Sequence, residues 1–229
     1  YEGSSGITTA VVPFLLERVM ALTKEQIKEF KKAEKEAKNS DDLDDLIDVA
    51  NELISCGDEE WARKVYASIE EKAKSFMDFY NLAYYLFEEL GDNEWAKRIL
   101  KVSENKAEKN FHFRYLADIF VEKLGEKERS KIFYEKAETI TDDTAEFRIM
   151  ASHICKYMGD KEWAKKVYKK AEDKAETWSE FSSLAECLFE DLGDKEWAKN
   201  VCQKAVELVE ESGEDEEIHD VREQLEELG

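Results

Sequence analysis

The sequence predicts an all-α chain: an α-solenoid of about five 34-residue helix–turn–helix repeats with N- and C-terminal capping helices. Three observations carry this. A six-residue phrase recurs at Gly57-Asp58-Glu59-Glu60-Trp61-Ala62, Gly91-Asp92-Asn93-Glu94-Trp95-Ala96, Gly159-Asp160-Lys161-Glu162-Trp163-Ala164 and Gly193-Asp194-Lys195-Glu196-Trp197-Ala198. A worn copy sits at Gly125-Glu126-Lys127-Glu128-Arg129-Ser130, so the five glycines are spaced 34 residues apart, a period that marks a stacked-repeat architecture. Apolar residues fall at helical spacing on both sides of each phrase, and the only proline is Pro13.

The phrase reads as the turn of a helical hairpin. Glycine suits the left-handed position just past a helix. Asp58, Asp92, Asp160 and Asp194 are placed to cap the next helix, and a glutamate in its first turn suits the macrodipole. Ala62, Ala96, Ala164 and Ala198 then open a buried face, followed one turn on by Tyr66, Leu100, Tyr168 and Cys202. The preceding helices carry a second stripe, in which Phe79, Leu82, Ala83 and Leu86 match Phe113, Leu116, Ala117 and Phe120, and so on through the later units. The first unit is one residue shorter between its stripe and its glycine.

Taken in order, residues 1–12 read as a flexible lead, 13–40 as an apolar helix and capping hairpin, 41–212 as five repeats, and 213–229 as a C-terminal capping helix. Thr23 with Gln26, Ser75 with Asp78 and Thr177 with Glu180 are expected capping boxes. Ile27, Phe30, Ala33 and Ala37 are expected to face inward, as are Ile218, Val221, Leu225 and Leu228 at the other end. The run from Ile7 to Leu22 is the most apolar in the chain, yet too short and interrupted for a membrane span. It reads either as the first capping helix or as an arm, Val11, Val12, Phe14, Leu15, Leu16, Val19 and Met20, that docks on a neighbouring subunit.

The formal net charge of −21 disfavours nucleic acid and anionic membrane surfaces, because both require clustered Lys/Arg. Cys56, Cys155, Cys187 and Cys202 stand where sister repeats carry apolar residues, so they are expected to pack as small hydrophobes. His112, His153 and His219 do not converge with cysteines at metal-ligand spacing. No nucleophile–base pattern or glycine-rich phosphate loop is present, so neither enzyme activity nor a metal or other cofactor is expected. The cytoplasm is the default compartment, or export if the missing initiator methionine reflects leader cleavage.

The period, the Leu-Ala pairs 82–83, 116–117 and 184–185, the turn glycines, the alanines after them, and Tyr66, Tyr134 and Tyr168 resemble the tetratricopeptide repeat (TPR) family over residues 41–212. A Sel1-like relative is the alternative, because the family's proline near each repeat end is absent. The resemblance implies a superhelix whose first helices line a concave groove for a peptide or helix. Carried onto this chain, the groove residues are Met77, Tyr80, Tyr84, Phe111, Arg114, Asp118, Arg148, Ser152, Lys156, Ser182 and Glu186, with Arg114 and Arg148 available to clamp a carboxylate. Phe87, Val121, Cys155 and Phe189 are apolar in every unit and read as core. Two functions follow: a non-catalytic scaffold binding a protein or peptide, or a self-assembling structural subunit joined through the N-terminal segment.

Overall fold

A computed structural model of the chain describes residues 22–40, 43–212 and 215–228. The expected lead and docking arm, including Val11, Val12, Phe14, Leu15, Leu16, Val19 and Met20, lie outside the described residues. The fold is all-α, a repeat of paired helices: α1 (Lys24–Asn39), α2 (Asp44–Ser55), α3 (Glu59–Lys72), α4 (Phe76–Glu88), α5 (Asn93–Glu104), α6 (Asn110–Glu122), α7 (Lys127–Ile140), α8 (Thr144–His153), α9 (Lys161–Lys174), α10 (Trp178–Cys187), α11 (Lys195–Ser212) and α12 (Asp215–Glu227). The chain divides into two compact units, residues 1–100 and 101–229.

Local chemistry explains the punctuation. Asp58 accepts the Trp61 backbone N–H at 3.0 Å, and Asp92, Asp160 and Asp194 do the same for Trp95, Trp163 and Trp197. Thr23–Gln26, Ser75–Asp78 and Thr177–Glu180 all form reciprocal capping boxes. The five repeat glycines adopt φ of 65° to 83°, the left-handed region. A Cβ at Gly91 would meet nothing within 4 Å, so substitution there carries only backbone strain. Gly91→Ala is expected to cost roughly 1–2 kcal/mol in urea denaturation, and Gly91→Asn less, because a short polar side chain tolerates this region better.

The extra residue before the later glycines has a structural outlet. Ile154–Met158 and Leu188–Leu192 form π turns, and the Gly159 N–H donates to the Ile154 carbonyl five residues back at 3.1 Å. In the shorter first unit Gly57 N–H instead reaches Ile54 at 2.8 Å. Within residues 1–100 the core holds Leu46, Leu53, Ala62, Val65, Tyr66, Leu82, Ala83 and Ala96, all fully buried. Phe30 and Ala37 of α1 are buried, while Ile27 and Ala33 are half-buried. Within residues 101–229, Leu116, Ala117, Tyr134, Ala151, Ala164, Tyr168, Leu184, Ala185 and Ala198 are fully buried. Val221 of α12 and Leu228 just past its end are also buried, and Leu225 is half-buried.

The cysteines are free thiols, with Cys202 buried and the other three half-buried. Burial pushes the Cys202 thiol up to about 11. The series expected in the core departs from that reading. Phe87, Val121 and Cys155 are half-buried and Phe189 is 43% exposed. Cys155 and Phe189 sit inside the π turns, where the wider winding carries side chains off the 3.6-residue stripe.

Candidate protein-binding surfaces

In residues 1–100 the first helices α2 and α4 flank a cavity of about 560 Å³. Leu43, Ile47 and Met77 give it apolar wall, while Asp44, Lys74 and Asn81 give it polar edge. Two tyrosines of the expected groove lie further along α4. Tyr80 is half-buried and stacks on Phe76 at 5.8 Å, and half-buried Tyr84 meets Tyr85 edge-on at 5.6 Å. Such rings offer large, stiff contact area at small entropic cost.

In residues 101–229 the expected groove residues separate by environment. Arg114 and Asp118 are 7% and 8% exposed and belong to an ionic network. Arg114 Nε donates to Glu146 Oε2 at 3.0 Å, and its Nη1 lies 3.6 Å from Asp118 Oδ2. Asp118 also accepts the Tyr134 hydroxyl at 2.5 Å, and His153 Nδ1 lies 2.9 Å from both of its oxygens. Burial drives the Tyr134 phenol pKa far upward, and the adjacent Asp118 carboxylate adds to it. The guanidinium also stacks over the Tyr115 ring at 4.6 Å.

Arg148 has different company. It is half-buried on α8, and its one polar partner among the described residues is the Cys187 Sγ at 3.5 Å, a weak acceptor. Ser152 follows it one turn on, half-buried on the same face, and Lys156 stands in the π turn beyond, exposed over the Tyr157 ring at 4.7 Å. Ser182 is already engaged: its Oγ donates to Gln224 Oε1 at 2.7 Å, and Gln224 Nε2 donates to its carbonyl at 3.0 Å. Glu186 is exposed, and Phe111 is half-buried beneath Lys109, whose Nζ stands 5.5 Å from the ring.

Sequence reasoning missed the staple between successive second helices. Trp95 Nε1 donates to Glu70 at 2.7 Å, Trp163 to Glu138 at 2.9 Å and Trp197 to Glu172 at 3.0 Å, each across 25 residues. In the worn copy Arg129 keeps this partnership, donating to Glu104 at 2.5 Å and lying over the Phe120 ring at 3.9 Å. Glu70, Glu104, Glu138 and Glu172 are themselves 34 residues apart, a signal present in the sequence.

Among the described residues no group of three or more His, Cys, Asp or Glu is placed to hold a metal ion. No described helix is long and apolar enough to cross a membrane. A family model described as a tetratricopeptide repeat matches residues 145–173, which comprise nearly all of α8, the following π turn and nearly all of α9. No curated protein and no solved structure matches the chain.

Proposed function

Starting from an all-helical, TPR-like repeat chain, we propose that it is a non-catalytic scaffold that binds a peptide or helix of another protein on the open faces of its first helices. The observation that carries this reading is Arg148: a half-buried guanidinium, in a chain of net charge −21, whose recorded polar partner is a thiol. A guanidinium in that setting gains most from a carboxylate that arrives with a ligand. Ser152 extends that face with a hydroxyl, and Lys156, in the π turn that follows, adds a second cation. The cavity beside Met77, about 560 Å³ with an apolar wall and a polar edge, offers residues 1–100 a place for a ligand side chain. Arg114 and Asp118 enter this reading as the support beneath the surface, since their charges are spent on each other, Glu146 and His153.

Selection from a displayed random-peptide library tests it. Enriched peptides are expected to share an acidic residue or a free C-terminal carboxylate. Arg148→Ala is expected to weaken them about tenfold or more, and Arg148→Lys by less. Lys131→Ala on the second helix α7 is expected to leave them unchanged. Enrichment of peptides without a carboxylate, or binding indifferent to Arg148, would remove the reading.

A further inference from the structure

The charge pattern of α1 is unlike the rest of an acidic chain. The helix carries six lysines against four glutamates, and five of the lysines, Lys24, Lys28, Lys31, Lys35 and Lys38, recur every four or three residues. That spacing places them in one stripe about 21 Å long at 1.5 Å per residue. The stripe lies off the face that buries Phe30 and Ala37, and all five are exposed. Lys38 closes on Glu34 at 2.5 Å. Lys24, Lys28, Lys31 and Lys35 have no acidic partner within ion-pair distance among the described residues. Four like charges held in register and left unpaired repel one another, a cost that an opposing anionic surface removes.

The chain itself contains such a surface at its other end. From Glu207 onward the sequence has eleven Asp/Glu and a single arginine, Arg222, which is already paired with Glu210 at 2.5 Å. Asp220, Glu223 and Glu226 of α12 are exposed. In sequence, Glu216, Asp220, Glu223 and Glu227 repeat the intervals of Lys24, Lys28, Lys31 and Lys35: four, three, four. Two helices with identical charge intervals and opposite sign can pair along their length.

We propose that the α1 lysine stripe docks on α12 of a second copy of this chain. The contact is heterologous, joining different surfaces of the two copies. Each copy therefore offers one basic and one acidic face, and association propagates head to tail unless the geometry closes a ring. This electrostatic joint is separate from the peptide-binding reading and makes no use of Arg148.

The test is sizing of the full chain by light scattering over a concentration series. Salt is set at about 0.01 M, where the Debye length is about 30 Å, and at about 1 M, where it is about 3 Å. Mass is expected to rise with concentration at low salt and to collapse at high salt. The variant K28E/K31E/K35E and the variant D220K/E223K are each expected to associate at least about tenfold more weakly, because like charges then face each other. An equimolar mixture of the two is expected to recover association, since each supplies the face the other lacks. The substitutions are at exposed positions, and melting of each variant alone checks that folding is unchanged.

The proposal is overturned if the wild-type chain keeps one mass at every concentration at low salt. It is equally overturned if K28E/K31E/K35E assembles as the wild type does, which would move the joint to another surface such as the apolar segment Val11–Met20. Loss of binding to phosphatidylserine vesicles in that variant, with self-association unchanged, would make the stripe a lipid-facing surface instead.

Discussion

Arg114→Met is expected to destabilise residues 101–229 by about 3–5 kcal/mol, read as a fall in the chemical-denaturation midpoint. The guanidinium is nearly enclosed, bonded to Glu146 at 3.0 Å and close to Asp118. Burial by itself would lower its pKa, but the hydrogen bond and charges of Glu146 and the charge of Asp118 raise it. Removing it leaves Asp118 with the Tyr134 hydroxyl and His153, and takes from Glu146 the guanidinium it holds at 3.0 Å. Losing one member of a buried ionic group costs more than losing the whole group, because the survivor's desolvation goes uncompensated. The variant Arg114→Met, Asp118→Leu, Tyr134→Phe, Glu146→Gln, which removes the charged partners together, is therefore expected to recover most of that loss. The pair of measurements separates support from recognition. If Arg114→Met costs little stability yet abolishes peptide capture, the guanidinium serves the ligand rather than the fold.

The periodic parts of this fold were legible in the sequence, and the cross-repeat contacts were not. Glycine at a left-handed turn, aspartate at the following cap and alanine at the close helix contact each have a local cause, so repetition exposes them. The glutamates that receive the tryptophan N–H groups recur just as strictly, but they stand among 55 acidic residues and act on a ring 25 positions away. The network at Asp118 has no repeat signature, since sister units carry Tyr84, Ser152 and Glu186 there. It arises because Arg114, Tyr134, Glu146 and His153 come from three different helices onto one carboxylate-rich spot, which needs the packing to be known. The exposure of Phe189 was hidden for a different reason: apolar identity in every unit says nothing of the π turn that holds it.

Acid is expected to cut the tryptophan staple at Glu172. Its side chain is 8% exposed, and burial alone would raise its pKa. Hydrogen bonds from Lys169 at 2.8 Å, Lys204 at 2.6 Å and Trp197 Nε1 at 3.0 Å more than offset that and hold it at about 2, against 4.5 for an ordinary glutamate. A carboxyl with a depressed folded-state pKa stabilises the fold fully above its unfolded value, and that contribution disappears as pH falls through the folded value. The window is thus about pH 4.5 down to about 2. The full contribution is about 3 kcal/mol, at 1.36 kcal/mol per pKa unit. Glu172→Gln retains an acceptor for Trp197 but no charge for either lysine. Its stability is expected to lie below wild type by up to about 3 kcal/mol at pH 7 and to converge with it near pH 2. Denaturation midpoints measured along that pH series decide the matter: a constant gap between the two proteins would mean that packing around the side chain, not its charge, holds the joint. Glu70 gives an independent check within residues 1–100. There the Arg98 guanidinium, at 2.5 Å, is the main cause of the depressed pKa, with burial opposing it and Trp95 adding to the lowering. Because the pair is more exposed, with Arg98 at 58%, its acid-dependent contribution is expected to be the smaller of the two and the more readily screened by salt.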